Sequence, residues 1–408
     1  MKLTSGHLSY CTNIHSGESW KDHFAALKEN FSGIRKAVCG DQAMGIGLRL
    51  SNSASLDIQS AAELNEFKEW LTANNAYVFT MNGFPYGDFH HAVVKDNVHA
   101  PDWTTKERVD YTIRLFNTLA KLLPKGMEGG ISTSPLSYRF WFPDKDDFQN
   151  AVLTATKNII EIAEELIRIG QNTGVKMHLD IEPEPDGILE SASEFIDWFE
   201  NVLMPLSKQI LPDRLSISPE EAEQFIKEHI CLCYDVCHFA IGYESHSEII
   251  ELLGNKGIRV GKIQISAALK ADLPHNSELR SGIANAFANY NEPTYLHQVV
   301  ARKDDGLLKR YRDLPEALSD YTNPLVREWR AHFHVPVFIR ELGLLQSTQE
   351  DISEVLKIQK NRPFTEHMEV ETYTWEVLPE VLKAPIGESI VRELNWVKEL
   401  LLKNQAHE

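Results

Sequence analysis

Short apolar segments alternate with longer amphipathic segments along most of the chain. This alternation predicts strands separated by helices. We predict eight strands, at residues 7–12, 45–51, 77–82, 129–135, 175–183, 230–238, 260–266 and 368–375.

The segments between these strands have apolar residues at helical spacing. In residues 61–75, Leu64, Phe67 and Leu71 recur at intervals of three and four, and two asparagines mark the end of the helix. Similar helices are predicted at residues 158–170, 193–206 and 246–253.

Strands and helices that alternate in this way favour a parallel sheet with right-handed crossovers. For 408 residues we predict an α/β fold of the (β/α)8 TIM-barrel type, with residues 1–408 in a single domain. A doubly wound open sheet is the alternative. The strand-to-helix turns lack the GxGxxG and GxxxxGK(S/T) motifs of its nucleotide-binding forms, so these forms have no support.

The regular alternation fails between the seventh and eighth strands. The roughly sixty residues from 271 to 334 are far more than an ordinary loop, and we predict that they form an insertion within the barrel domain. The segment VPVFIREL at residues 335–342 is an alternative closing strand. If it closes the barrel, the strand count shifts by one.

The stretch LDIEPEP at residues 179–185 places acidic side chains at alternate positions of a predicted strand. Side chains alternate between the faces of a strand, so His178, Asp180 and Glu182 are expected inside the barrel. The same rule gives the other inward sets, which are Cys231, Cys233 and Asp235, then Lys262, Gln264 and Ser266, then Glu369, Glu371 and Tyr373. Acidic side chains are rarely buried without a partner, so a partner is predicted.

The partner that fits best is a metal ion. Glu182, Asp235 and Glu371 are expected at one level, at the carboxyl ends of three strands, and Gln264 adds a neutral donor. Oxygen-rich groups of this kind suit Mn²⁺, Mg²⁺ or Zn²⁺. Without a cation the carboxylates would repel each other and their pKa values would rise. We therefore predict one divalent ion bound by these four residues.

Composition and charge narrow the ligand class. The formal net charge of −18 disfavours contact with nucleic acid or an anionic membrane, because phosphate binding depends on Lys and Arg. The N-terminal residues lack the apolar run of a secretory signal, and no apolar segment is long enough to span a bilayer. Five cysteines, three of them in CLCYDVC, indicate reduced thiols. We predict a cytoplasmic protein that binds a small molecule.

These residues resemble the xylose-isomerase-like TIM barrels, the sugar phosphate isomerase/epimerase superfamily that includes endonuclease IV. In that superfamily a Glu ends strand five, Asp-x-x-His ends strand six, a His usually ends strand seven and a Glu lies on strand eight. Glu182, the DVCH motif at residues 235–238 and Glu371 match three of the four positions. The resemblance implies one catalytic metal held at these strand ends.

Strand seven departs from the superfamily pattern. Its sequence KIQIS offers Gln264 or Ser266 where a His is usual. Gln264 would ligate through its carbonyl oxygen. Alternatively, His332 or His334 of the HFH motif supplies the fourth ligand.

Several stretches resemble the barrel protein of the bacterial Ebo metabolite-traffic cluster, among them HLSYCTNIHSGESW, TMNGFPYGDFH, ISTSPLSYR and VETYTWEVLP. The similarity spans most of the chain. It implies the handling or export of a lipophilic precursor, together with membrane-associated proteins of that cluster, and assigns no reaction. A homo-oligomer is one open alternative for the assembly.

Five residues are predicted to contact the substrate: His238, Asn82, His90, Arg49 and His334. Asn82 and His90 are expected over the barrel mouth, where loops carry binding residues. Arg49 is also an alternative ion-pair partner for Glu182, because its place among glycines in GIGLRLS indicates an inward side chain. His238 alternatively caps the next helix.

The leading functional hypothesis is a metal-dependent isomerase or epimerase that acts on a sugar or related hydroxycarbonyl compound through an enediolate. Glu182 and Glu371 would exchange the proton next to the carbonyl group as base and acid. One alternative is a metabolite-binding or trafficking protein that keeps the metal site without turnover. A phosphodiester hydrolase like endonuclease IV is a further alternative, although the negative charge argues against DNA.

Overall fold

The structure is a computed structural model, and it describes residues 1–87 and 93–402. Its first strands are β1 (Lys2–Leu3), β2 (Gly6–Tyr10), β3 (Met44–Arg49), β4 (Ala76–Asn82), β5 (Gly129–Thr133), β6 (Met177–Ile181), β7 (Ile230–Asp235) and β8 (Val260–Ile265). A second sheet contains β9 (Ala267–Asp272), β10 (Val299–Lys303), β11 (Leu308–Tyr311), β12 (Val326–Val335), β13 (Glu341–Leu342) and β14 (Leu345–Ser347). The last strand, β15 (His367–Val370), returns to the first sheet.

Helices follow most barrel strands. They are α1 (Trp20–Cys39), α2 (Asn52–Asp57), α3 (Ala61–Ala73), α4 (Lys106–Leu122), α5 (Lys145–Thr173), α6 (Ala192–Trp198), α7 (Met204–Leu215), α8 (Pro219–His229), α9 (Val236–Ile241), α10 (His246–Asn255), α11 (Ser277–Ala288), α12 (Leu314–Ser319), α13 (Gln349–Asn361) and α14 (Ile386–Leu402). Local sequence sets several ends; for example, Ser218 and Glu221 form a capping box at the start of α8. Within the described residues, none of the helices combines the length and apolarity needed to cross a membrane.

The first sheet is a TIM barrel, as predicted. Its strand order is β1-β2-β15-β8-β7-β6-β5-β4-β3, and all neighbours except β1 and β2 pair in parallel. A parallel bridge between Cys11, which directly follows β2, and Gly47 of β3 closes the barrel. Residues at the carboxyl ends of the strands therefore gather at one mouth, where TIM barrels place their active sites.

Each predicted barrel strand has a counterpart, but some strands are shorter than predicted. β7 ends at Asp235 because the carboxylate of Asp235 accepts a hydrogen bond from the backbone of His238 and caps α9. β15 ends at Val370, and Tyr373 belongs to a following 3₁₀ turn. The inward strand position predicted for Tyr373 is therefore wrong, although its ring does reach the barrel mouth.

The second sheet forms between β8 and β15. Its strand order is β11-β10-β12-β9-β14-β13, and its pairs are antiparallel. The long strand β12 ends at Val335, where the segment VPVFIREL begins. The alternative in which this segment closes the barrel is wrong, because β15 pairs with both β2 and β8.

β12 connects the second sheet to the barrel mouth. Trp329 and Phe333 lie on one face, with ring centroids 5.5 Å from Phe287 and 5.0 Å from Tyr290 respectively. Residue 332 of the same strand lies on the opposite face, because side chains alternate along a strand. The sheet thus buries an apolar face of its own and turns polar side chains toward the barrel.

The barrel interior carries an ion pair below the mouth. Lys262 Nζ lies 2.8 Å from Glu369 Oε1, and both side chains are fully buried. A Cβ atom at Gly47 would lie 1.6 Å from Glu369 Oε2, so only glycine leaves room for this carboxylate. Burial lowers the pKa of Lys262, but the groups around it, Glu369 first among them, together outweigh burial and raise the pKa. This charged layer supports the group of carboxylates above it.

Candidate metal centre

Three carboxylates meet at the carboxyl ends of barrel strands. Glu182 directly follows β6, Asp235 is the last residue of β7, and Glu371 directly follows β15. All three side chains are buried, and ligand oxygens of the three lie within 4.8 Å of one another. The structure brings together the three carboxylates named by the sequence analysis, and their binding of a metal stays a prediction.

Gln264 lies at the centre of these carboxylates. Its amide nitrogen, which carries two hydrogens, lies within hydrogen-bond distance of oxygens of Glu182 (3.0 Å), Asp235 (3.2 Å) and Glu371 (2.5 Å). Its carbonyl oxygen accepts a hydrogen bond from Cys233 Sγ at 3.2 Å. A half-turn of the amide would present the carbonyl oxygen at the same place, since the two ends of the group have the same shape. Gln264 is therefore positioned either to link the carboxylates or to join them as a ligand.

Neutral side chains hold the carboxylates in place. Ser266 was one alternative for the fourth metal ligand. Its Oγ donates a hydrogen bond to Asp235 Oδ1 at 2.5 Å. Asn82 Nδ2 and Asn13 Nδ2 donate to Glu371 Oε1 at 2.7 Å and 2.8 Å. Asn82 is one of the residues predicted from the sequence to contact the substrate, whereas Asn13 was not predicted as a site residue. A search for polar residues just beyond every strand end would have found it.

The electrostatics of the site favour a cation. Burial, followed by the charges of Glu371 and Asp235, raises the pKa of Glu182 well above its ordinary value. Burial, followed by the charge of Asp235, raises the pKa of Glu371 to about 8. Glu182 Oε2 has no hydrogen-bond partner among the described residues. Crowded, buried carboxylates ionise unfavourably unless a cation lies among them, so these residues fit a divalent metal ion.

Metal affinity is expected to rise with pH. A carboxyl group has to lose its proton to bind a cation, and Glu371, with a pKa of about 8, is mostly protonated below that pH. The apparent affinity for Mn²⁺ should increase by up to about tenfold per pH unit below pH 8 and level off above it. Titrations at pH 6.5, 7.5 and 9, followed by electron paramagnetic resonance of free Mn²⁺, measure this change.

The Glu371→Gln variant is the control for this titration, because it lacks the group whose pKa is about 8. Its weaker affinity should vary less with pH. If the parent protein binds Mn²⁺ equally well at all three pH values, Glu371 is either not a ligand or is already ionised at pH 6.5.

Three histidines border the carboxylates. His238 lies in α9, and its Nδ1 is 3.7 Å from Glu182 Oε1. His332 and His334 extend from β12 and line the same pocket as His238. Burial lowers the pKa of His334 to about 4 and places that of His332 well below its ordinary value. Both imidazoles from β12 are therefore neutral at pH 7.

A further buried carboxylate, Glu184, lies on the pocket wall. Its Oε2 has no hydrogen-bond partner among the described residues and is 3.9 Å from His99 Nε2. Burial, followed by the charges of Asp235 and Glu371, raises the pKa of Glu184 well above its ordinary value. Sequence analysis did not propose Glu184 as a site residue, because the two prolines beside it hide the direction in which the chain turns after β6.

Arg49 and His90 were both predicted to contact the substrate. The Arg49 guanidinium forms two hydrogen bonds with the Glu18 carboxylate, at 3.1 Å and 3.0 Å, and donates to Gly87 O at 2.6 Å. Arg49 is not among the residues that line the pocket over the carboxylates. The alternative in which Arg49 pairs with Glu182 is wrong, because Glu18 is its partner. His90 lies outside the described residues.

A narrow pocket of about 40 Å³ opens above the carboxylates. Part of its wall comes from the segment before β10, namely Tyr295, Leu296 and Gln298. The ring of Tyr295 packs edge-on against Tyr373, with 5.0 Å between the ring centroids. This volume has room for a metal ion and a few waters.

Comparisons with known proteins support the fold. A xylose isomerase-like TIM barrel protein from Mycobacterium smegmatis, solved in complex with magnesium, matches with a TM-score of 0.50 and 8% identity, over 98% of this chain and 97% of that chain. The IolI protein with a bound zinc atom matches with a TM-score of 0.47 and 12% identity, over 98% and 100%. A D-tagatose 3-epimerase-like protein matches with a TM-score of 0.47 and 11% identity, over 97% of both chains.

The match to the Mycobacterium smegmatis protein, together with the strand order of the first sheet, shows that the chain has the fold of the xylose isomerase-like TIM barrels. At these identities the likeness extends to the fold alone. No protein family model matches the sequence, and no curated protein matches it. The resemblance to the Ebo barrel protein stays a prediction.

Proposed function

We propose that this protein is a metal-dependent isomerase or epimerase of sugars or related hydroxycarbonyl compounds. The observation that carries the proposal is the group of three buried carboxylates around Gln264 at the barrel mouth. Two of them, Glu182 and Glu371, also line the pocket. Reactions that move a proton between adjacent carbons need two such groups, one to remove the proton and one to return it.

The metal and the carboxylates have separate tasks in this reaction. A divalent cation held by Glu182, Asp235, Gln264 and Glu371 would act as a Lewis acid that polarises the substrate carbonyl group. Glu182 removes the proton from the carbon next to the carbonyl group, and Glu371 supplies a proton to the product. Both carboxylates face the pocket, so each can exchange a proton with a substrate bound there.

The pocket walls match a ligand with both polar and apolar surfaces. Asn82 offers an amide beside Glu371, and His238 and His334 offer imidazoles. Tyr295 and Tyr373 add aromatic surface at the mouth, on which the apolar face of a sugar ring can pack. A small-molecule substrate agrees with the net charge of −18, which opposes binding to nucleic acid.

A second candidate is a metabolite-binding or trafficking protein that keeps the metal and performs no reaction. The observation that favours it is Gln264, which stands where the superfamily pattern usually has a histidine and whose amide nitrogen lies within 3.2 Å of an oxygen of each carboxylate. Such a protein would work with membrane-associated partners. All five cysteines are unpaired, which supports a reducing compartment such as the cytoplasm for either function.

Metal content is the first test of the proposal. We expect the purified protein to carry close to one divalent ion at the carboxylates, and a Glu182→Gln, Glu371→Gln double variant to lose it, because amides replace two of the anionic ligands. Plasma mass spectrometry of both proteins, after dialysis against Mn²⁺ and Zn²⁺ and removal of excess metal, measures the difference. A Glu66→Gln variant is the control, since Glu66 is an exposed carboxylate paired with Lys28.

Two outcomes separate the candidate functions. If the parent and the double variant bind the same amount of metal, the carboxylates are not the ligands and both functions lose their basis. If the metal is lost only in the double variant, incubation with ketoses and dihydroxyacetone in deuterated water shows whether carbon-bound protons exchange. Exchange supports the isomerase, and tight binding without exchange supports the binding protein.

A further inference from the structure

A group of buried ligating side chains lies at the amino end of the barrel, away from the mouth. His178 and Asp180 share a face of β6, and Cys231 of β7 is paired in register with Asp180. His178 lies four residues before Glu182 in the sequence, which is about 13 Å along a strand. We call His178, Asp180 and Cys231 the amino-end cluster.

The amino-end cluster brings three kinds of ligand atom together. An imidazole nitrogen of His178, a carboxylate oxygen of Asp180 and the sulfur of Cys231 lie within 4.8 Å of one another. His178 is 2% exposed, and the other two residues are fully buried. In a tetrahedral zinc site, neighbouring ligand atoms of these kinds are about 3.3–3.6 Å apart. Side-chain adjustments of about 1 Å would therefore place all three atoms around one ion.

The carboxylate of Asp180 has a partner on one side only. Its Oδ1 is 2.5 Å from His178 Nδ1. Its Oδ2 is buried and has no hydrogen-bond partner among the described residues. A buried carboxylate oxygen that lacks both a donor and a cation costs free energy, so this atom indicates a missing partner.

The two cations near Asp180 are engaged elsewhere. Lys262 and Arg259 are close enough for their charges to act on Asp180. However, Lys262 Nζ lies 2.8 Å from Glu369 Oε1, and an amine of the Arg259 guanidinium lies 2.9 Å from Glu128 Oε1. Each cation thus has a carboxylate of its own, and the missing partner of Asp180 has to come from elsewhere.

His367 adds a second acceptor without a donor at the same end of the barrel. Its ring centroid is 5.1 Å from that of His178, and burial lowers its pKa well below the ordinary value, so the ring is neutral. His367 Nε2 is 3.1 Å from Glu128 O, and a carbonyl oxygen only accepts hydrogen bonds, so Nε2 carries the proton. His367 Nδ1 therefore presents a lone pair, and it has no partner among the described residues. An excess of buried acceptors favours a cation.

A cavity gives access to the amino-end cluster. Its volume is about 180 Å³, and its walls include His178, His367 and Gly261. A Cβ atom at Gly261 would lie 1.8 Å from Asp180 Oδ1, so a glycine is needed for the carboxylate to occupy this position. The cavity provides the entry path that a buried metal site requires.

We propose that His178, Asp180 and Cys231 bind a zinc ion at the amino end of the barrel, with the remaining coordination position open to the cavity. Imidazole nitrogen, carboxylate oxygen and thiolate sulfur are all zinc ligands, and the thiolate makes this set softer than the oxygen-rich group at the mouth. The amino-end face of a TIM barrel contributes to stability rather than to catalysis. The ion therefore stabilises the fold by linking β6 to β7, and the site goes beyond the proposed function.

Cobalt absorption tests the site. The full chain is stripped of metal with a chelator and titrated with Co²⁺, which occupies zinc sites and gives a near-ultraviolet charge-transfer band when a thiolate binds it. The titration is run at alkaline pH, because burial raises the pKa of the Cys231 thiol and the metal has to displace its proton. We expect the band in the parent, its loss when zinc is added, and its loss in a Cys231→Ser variant.

Two further variants show where the thiolate lies. Cys233→Ser is the matched control, because this thiol is buried two residues further along β7 and contacts Gln264; it should keep the band. The Glu182→Gln, Glu371→Gln variant should also keep it, so that failure of the carboxylate site and failure of the amino-end site are told apart. The proposal is refuted if the parent shows no band, or if the band survives in Cys231→Ser.

A measurement on the parent alone covers the case in which Cys231→Ser fails to fold. Anomalous diffraction at the zinc absorption edge, from crystals of the zinc-saturated parent, locates each ion directly. We expect a peak between β6 and β7, about 2.3 Å from Cys231 Sγ. If all zinc peaks lie at the barrel mouth, or if there is none, the proposal is overturned and the contact between His178 and Asp180 is a hydrogen bond inside the barrel.

Discussion

Replacing Glu371 with Gln is expected to slow the exchange of the substrate's carbon-bound proton by about 10²–10⁴-fold, the range typical of general acid–base catalysis. The amide of glutamine cannot take up or release a proton, which is the task of the Glu371 carboxylate in the proposed reaction. Glutamine has the same shape and keeps an oxygen for Asn13 and Asn82, which donate to Glu371 Oε1. Deuterium incorporation measured by nuclear magnetic resonance gives the rate.

Metal content has to be measured on the same samples, because Glu371 is also a proposed ligand. The rate is compared at saturating Mn²⁺, so that weaker metal binding does not account for the loss. The Glu66→Gln variant should react as the parent does, since that carboxylate is exposed and distant in the fold. A Glu371→Gln variant with full metal content and the parent's exchange rate would remove Glu371 from the reaction.

The sequence was sufficient to predict the barrel because its strands are buried on both faces. Such strands appear as short apolar runs, and the rule of alternating faces then identifies the inward residues. Glu182, Asp235 and Glu371 were named in this way, and their ligand oxygens lie within 4.8 Å of one another. The periodicity of a strand indicates on which face a side chain lies and how far along the strand it lies. No further information was needed to predict that these three carboxylates meet.

Lateral contacts between strands could not be predicted in the same way. Gln264 contacts three carboxylates because the strand register places it opposite Asp235 on one side and Glu369 on the other. Register depends on the whole closed sheet, and a single strand does not contain it. Arg49 shows the same limit, because its inward position was inferred from neighbouring glycines and its partner proved to be Glu18.

The position of the second sheet could not be predicted from the sequence pattern, for a different reason. The HFH motif indicated that His332 and His334 share a face, but the element they face depends on how the second sheet docks on the barrel. Trp329 and Phe333 bury the other face of β12 against α11 and its C-terminal end. The packing of these large aromatic side chains thus orients the two histidines toward the barrel. The alternation of residues along a single strand contains no information about that packing.

Replacing Lys262 with Met is expected to lower the free energy of unfolding by about 3–5 kcal/mol, the usual cost of removing one partner from a buried ion pair. Lys262 and Glu369 are 2.8 Å apart and fully buried, and Glu369 Oε2 has no other partner among the described residues. The variant leaves an uncompensated carboxylate inside the barrel. Urea denaturation of the metal-free proteins, followed by circular dichroism, measures the change.

Two matched variants show that charge burial, rather than the lost side chain, causes this effect. Lys28→Met breaks an exposed pair with Glu66 and should cost at most about 1 kcal/mol. A Lys262→Met, Glu369→Leu double variant removes both buried charges and should recover most of the lost stability, because apolar side chains of similar volume often replace a buried ion pair without loss. If the double variant is no more stable than Lys262→Met alone, charge burial is not the cause of the loss, and the two side chains are required for packing of the barrel interior.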